Sequence, residues 1–383
     1  MKMWMARGVA ALMFATLAPL LWAQGQPIKI FGLVELSGTG ATSGTNFNDG
    51  VRLAVKEINA AGGILRRKVD YIYNDTQSQP QIAKALAVKA IDDGAYVVMG
   101  PVFSGSILVS MAETRRAEIP NFTGGEAANI TQQGNPYVFR TSFTQSTAMP
   151  KLARYIKDTV KAKSVAMVWV NNDFGKGGRD SMSKALEAQG IKVAADISTD
   201  PGQVDFSAAV LKVKQSNADA VFVYTNEEES ARALRELKKQ GYDKPIIGET
   251  TLTGQKVIEL AGDAANGAIA HVGLTVDAPQ PGIKAFDEKF QKEYKYKSDH
   301  NGMKGYTGMY VVKAITERIK KFDGKEFAKT LHGATIKVKD YPGVLLDVHF
   351  DNNGDLDRES FLVKVEKGKQ VVTATLPPVS PIQ

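Results

Sequence analysis

From Pro27 onward, short apolar runs alternate with stretches whose apolar residues recur every three or four positions. Residues 28–36 predict a strand, followed by a helix over 45–61 whose Phe47, Val51, Ala54, Val55 and Ile58 share one face. Gly62 and Gly63 then supply the stop that helices commonly take. The cycle repeats with runs at 69–74, 96–102 and 119–123, separated by helices over 80–93 and 105–117. A second series follows Phe143, with runs at 164–170, 192–197, 220–224 and 245–249. Strand, helix and strand in strict rotation predict parallel sheets covered by helices, here in two similar α/β lobes. The end of the chain breaks the rotation: a long helix over 302–322, then alternating runs at 344–350 and 361–365.

The N-terminus changes the expected compartment. Lys2 and Arg7 precede an apolar run over 8–22, which is short for a bilayer span and ends in Leu-Trp-Ala. It predicts a secretory signal peptide cleaved after Ala23, and hence a periplasmic protein. No later run approaches the length of a membrane helix. With no cysteine, disulfides, thiolate metal sites and cysteine nucleophiles are excluded together. The chain carries 48 basic and 41 acidic residues, a net charge of +7. Once Lys2 and Arg7 are set aside the excess is small and unclustered, which argues against a nucleic-acid surface.

Gly38, Gly40 and Gly44 lie between the first strand and the first helix, superficially like a dinucleotide loop. The ribose-binding acid of that motif belongs about 20 residues further on, whereas Asp75 lies 35 residues past Gly40. The alternative is a hydroxyl-rich rim, through Ser37, Thr39, Ser43 and Thr45, opening a helix whose first N–H groups receive a small anion. Comparable segments follow later strands: "GPVFSGS" with Phe103, Ser104 and Ser106, "FTGGEAA" with Gly124, Gly125 and Glu126, "VNNDFGKGG" with Phe174, "VYTNEEES" with Asn226, and "GETTLTG" with Thr250. Ligands of open parallel sheets bind outside the carboxyl ends of the strands, so two such lobes present polar edges across one cleft.

Enzymatic readings lack a nucleophile with a visible base: neither a GxSxG elbow nor a phosphate-binding GxxxxGK[ST] loop occurs. His271, His300, His332 and His349 show no ligand spacing, so no metal and no cofactor is expected. "DNNGD" at 351–355 lacks the glycine a calcium loop requires at its sixth position, where Leu356 stands, and reads as a hairpin turn. The triplet Glu227, Glu228 and Glu229 fits the first turn of a helix, where acids suit the dipole.

The whole pattern, with "LVELSGTGATSG", "VKEINAAGGI", "NDTQSQPQIA", "LAGDAANG" and "FDNNGD", resembles the periplasmic substrate-binding proteins of ABC importers, and within them the leucine/isoleucine/valine-binding branch. The resemblance implies a type I Venus-flytrap fold of two doubly wound lobes: 24–143 plus 274–350, and 144–273 plus 351–383, with hinge crossings near Thr144, Gly273 and Asp351. It implies a monomer that delivers a small-molecule ligand to a membrane permease. Ser104 matches the serine that holds the ligand carboxylate, Gly125 a backbone contact beside it, Ser43 a rim position, and Phe174 an aromatic one. Asn226 stands where tyrosine is common. Glu126 replaces a threonine of the amino-acid binders, and Thr250 their ammonium-binding acid, with Glu249 one residue earlier. The resemblance implies a branched-chain or other neutral amino acid, or a related carboxylate, as the ligand, and these departures leave amides and cationic solutes open. A secreted hydrolase using Glu126 as acid or base, and a receptor-type sensing lobe, are the competing readings.

Overall fold

The structure, a computed structural model, describes residues 25–379. The segment read as a signal peptide lies outside the described residues. Among those described, no helix is long and apolar enough to cross a membrane.

The first half builds β1 (Ile28–Val34), α1 (Ala41–Ala60), β2 (Val69–Asp75), α2 (Pro80–Asp92), β3 (Val97–Met99), α3 (Ser104–Arg116), β4 (Asn121–Thr123) and β5 (Val138–Arg140). These strands form one parallel sheet in the order β2-β1-β3-β4-β5. Helix α1 starts four residues before the expected position, directly after a helical turn at Gly38–Gly40, so much of the glycine-rich stretch is helix rather than loop. All five residues expected on its apolar face are buried.

The second half builds α4 (Gln145–Tyr155), β6 (Ser164–Val170), α5 (Asp173–Ala188), β7 (Lys192–Thr199), α6 (Ser207–Gln215), β8 (Ala220–Tyr224), α7 (Glu227–Lys239), β9 (Ile246–Gly248), the short α8 (Thr250–Thr253), α9 (Gln255–Ala261) and β10 (Ile269–Val272). The chain then returns over the first sheet with α10 (Pro281–Tyr294), α11 (His300–Ile319) and α12 (Gly324–Leu331). A small antiparallel sheet follows, of β11 (Thr335–Ile336), β12 (Val348–Phe350) and β13 (Leu356–Asp357). It ends in the hairpin β14 (Ser360–Glu366) and β15 (Lys369–Leu376). The second sheet runs β7-β6-β8-β9-β10-β14-β15, parallel up to β10 and antiparallel beyond. The expected all-parallel lobe thus carries an antiparallel edge, because a tight turn at Lys367–Gly368 can only join antiparallel neighbours.

Three chain crossings join the halves. Phe143 packs against Gly273, whose Cα would place a side chain only 2.5 Å from the Phe143 ring. The Arg358 guanidinium lies 5.8 Å from that ring and donates to the Thr141 carbonyl. Residues up to Asp357 still pair with β12, and Asp355 is bound by Arg140 of the first sheet at 2.6 Å.

Candidate functional site

Between the two sheets lies a cavity of about 230 Å³. Its walls are the carboxyl ends of β3, β4, β6, β8 and β9 and the helix starts that follow them, together with the first turns of α1 and α11. The segments after β3, β6, β8 and β9 each leave a strand and open a helix, whose first N–H groups have no partner within the helix.

The turn after β3 is fixed from below. Glu35, at the end of β1 and fully buried, accepts the N–H groups of Val102 at 3.1 Å and Phe103 at 3.0 Å. The next residues, Ser104 to Ser106, open α3 and line the cavity. Ser104 Oγ accepts a long 3.4 Å bond from the Ala127 N–H. Ser106 Oγ is buried and has no partner among the described residues. Burial, the main cause, pushes the Glu35 carboxyl from its ordinary 4.5 to about 7. Burial and the nearby Glu227 likewise bring Asp299 from 3.8 to about 7. Between these values the native state holds protons that the unfolded chain has released, so stability falls as pH rises from about 4 to about 7. Unfolding free energies measured across that window should decline for the wild type, and Glu35→Gln should remove a share of the decline on the order of 3 kcal/mol. A profile unchanged by the substitution would contradict this.

The loop after β4 is held from behind by Arg140, whose fully buried guanidinium donates to the carbonyls of Gly125 at 2.7 Å and Ala127 at 3.0 Å. Gly124 and Gly125 line the cavity, but the Gly124 N–H already donates to Pro101.

Glu126 is the centre of a buried network that the sequence did not disclose. Its Oε1 takes Lys304 Nζ at 3.0 Å and Thr250 Oγ1 at 2.9 Å, and its Oε2 takes the Tyr224 hydroxyl at 3.1 Å. Thr250 also bonds Glu249, and Glu249 Oε1 lies 2.8 Å from His271 Nδ1. Burial pushes Glu126 above its usual range despite Lys304. Burial would do the same to Glu249, but His271 and Thr250 hold it below.

Thr250, expected at the ligand, is therefore turned onto Glu126 behind the wall, and its neighbour Thr251 faces the cavity instead. The Thr251 hydroxyl is likewise buried with no partner among the described residues. The one-residue offset follows from the cap of α8, where Glu249 accepts the Thr250 N–H and draws both side chains inward.

Phe103 and Phe174 line the cavity from opposite halves, and Phe174 stacks on Tyr224 with centroids 4.2 Å apart. Asn226 also lines it, though its amide is engaged by Glu229 in the cap of α7. Ser43 is buried and donates to Glu227 at 2.9 Å, bridging the halves. The glutamate triplet does open a helix, but its members diverge. Glu229 caps it, the half-buried Glu228 approaches Arg232, and Glu227 is buried at the cavity wall. His300, Asn301 and Lys304, at the start of α11, complete the wall; Asn301 and Lys304 belong to no motif, and His300 shows no ligand spacing. The usable signal was a lysine on an otherwise buried helix start after the capping Asp299.

Residues 27–370 match the periplasmic binding protein family. The chain is 30% identical over 365 residues to the Leu/Ile/Val-binding protein BraC3 of Rhizobium johnstonii, covering 95% of this chain and 96% of that one. In structure it is similar to the branched-chain amino acid transporter substrate-binding protein LivJ of Streptococcus pneumoniae, in complex with isoleucine (TM-score 0.82, 24% identity, 93% of this chain and 100% of that one). It is equally similar to a solute-binding protein of an R. palustris ABC transporter in complex with benzoate (TM-score 0.84, 22% identity, 93% and 98%). Two hinged α/β halves that enclose a cavity at their strand ends, and a family match along nearly the whole described chain, place this protein in the periplasmic binding protein family.

Proposed function

We propose that the protein captures a small carboxylate between its two lobes in the periplasm and presents the closed form to the permease of an ABC importer. The observation that carries this is the cavity itself, enclosed between the strand ends of the two lobes and lined by Ser104 and Ser106 from the first and by Asn226 and Thr251 from the second. A ligand that touches both lobes favours the closed state over the open one. The α3 N-terminus adds partial positive charge beside Ser104 and Ser106, which suits a carboxylate. The ligands of the similar structures, isoleucine and benzoate, both carry that group.

A hydrolytic role for Glu126 has less support. Its carboxylate is engaged by Lys304, Thr250 and Tyr224, and the named relatives bind solutes.

A thermal-shift screen of branched-chain amino acids and aryl carboxylates tests the reading, since a ligand at 100 times its dissociation constant stabilises by about 2.7 kcal/mol. For the best ligand, Ser104→Ala and Ser106→Ala should each weaken binding at least about tenfold in calorimetry. Affinity unchanged in both variants would remove α3 from the site.

A further inference from the structure

The charges on the cavity wall are unevenly matched, and the mismatch describes the ligand. Beside the α3 hydroxyls, both nearby acceptors are already engaged by an ammonium that belongs to the protein. Lys304 Nζ, on a residue only 4% exposed, lies 3.0 Å from Glu126 Oε1 and 3.3 Å from the Gly124 carbonyl. An amino acid carries its ammonium and carboxylate on one carbon, so it needs a free acceptor next to the carboxylate's donors. Here Lys304 fills that place. Across the cavity, Glu227 is 3% exposed and receives Ser43 Oγ at 2.9 Å and Asn301 Nδ2 at 3.3 Å, but it has no ion pair among the described residues. A carboxylate offers about four acceptor positions, so room remains for further donors. The neighbouring His300 provides no counter-charge, because burial and then Lys304 drive its pKa well down and keep the ring neutral. The remaining lining includes the apolar Pro80, Val102, Phe103, Phe174 and Pro201, with an aromatic ring from each lobe, beside the polar Thr39, Ser78, Asn172 and Asp173.

Building on the reading above, we propose that the ligand is a carboxylate with no amino group beside its carboxyl, whose far end presents an O–H or N–H donor to Glu227 across an apolar body. Lys304 acts as a fixed ammonium that removes the need for one on the ligand. Glu227 sets specificity at the opposite end and ties the second lobe to the bound molecule.

Calorimetry at neutral pH with leucine, benzoate, para-hydroxybenzoate and para-(aminomethyl)benzoate tests this on the wild type, Glu227→Ala and Glu227→Gln. Hexanoate and its ω-hydroxy and ω-amino derivatives repeat the comparison with a flexible body. At least one donor-bearing compound should bind at least about tenfold more tightly than its plain parent, and leucine at least about a hundredfold more weakly than that compound. Glu227→Ala should abolish the gain, so that in this variant the donor-bearing compound binds within about threefold of its plain parent. Glu227→Gln keeps a neutral acceptor, so it should retain most of a hydroxyl's gain and lose most of an ammonium's, which separates the two donors. Thermal melting of both variants establishes that they are folded. Leucine binding as tightly as the best carboxylate, or a donor gain absent from both series or surviving Glu227→Ala, overturns the inference. If leucine binds and Ser106→Ala weakens it, the solute-binding reading stands and only the inference falls. If no carboxylate binds, both fall.

Discussion

Lys304→Met should destabilise the protein by about 3–5 kcal/mol, the usual consequence of removing one partner from a buried ion pair. The lysine is 4% exposed and its partner Glu126 is 6% exposed, so neither water nor salt can replace the lost charge. Glu126 would keep the hydroxyls of Thr250 and Tyr224, but its negative charge would remain buried without a cation. Burial already pushes that carboxyl above its ordinary range, with Lys304 opposing the push. Without the lysine the carboxyl should hold its proton to still higher pH. Urea unfolding should therefore show a smaller deficit for Lys304→Met at mildly acidic pH than at mildly alkaline pH, because the proton neutralises the stranded charge. The double variant Lys304→Met with Glu126→Gln should recover most of the loss. A single variant within about 1 kcal/mol of wild type would mean that the pair does not hold the wall together.

Gly50→Val should cost at least about 3 kcal/mol, at the upper end of overpacking effects, because what it meets is backbone. Helices α1 and α11 touch main chain to main chain. A Cβ on Gly50 would lie 1.9 Å from the Gly302 carbonyl oxygen, and one on Gly305 would lie 2.1 Å from that of Phe47. No rotamer relieves such a clash, so the helices must separate and uncover Phe47 and Val51. Helix α11 also carries Asn301 and Lys304 into the cavity, so ligand affinity should fall together with the melting temperature. Gly282→Ala is the control: it lies in α10 with open space around it and should be neutral or stabilising by up to about 1 kcal/mol. Equal behaviour of the two variants would contradict the close approach.

What was legible in the sequence was what neighbouring residues settle among themselves. The runs at 164–170 and 220–224 are strands with those same limits, and the helix expected over 80–93 ends one residue earlier. Such elements announce themselves because burial on one or both faces imposes a period of two, a period of 3.6 or an unbroken apolar run. β15 escaped notice for the opposite reason: at the sheet edge its residues alternate between exposed and half-buried, which leaves a weak pattern. That ligand-facing segments follow β3, β4, β6, β8 and β9 could also be read locally, from glycine, serine and threonine at the strand-to-helix turns.

Which of those side chains face the cavity was decided only by tertiary structure. Glu126 and Lys304 are 178 residues apart, and Ser43 and Glu227 are 184. Glu229 stands three residues after Asn226, the local spacing of a helix cap, but nothing local distinguishes Glu227 from Glu228, yet one is buried against the other lobe and the other is half-buried beside Arg232. Periodicity says which face of an element is buried. The identity of a buried charge's partner depends on the docking of whole sheets and helices, and that docking alone determines whether an acid remains free for a ligand.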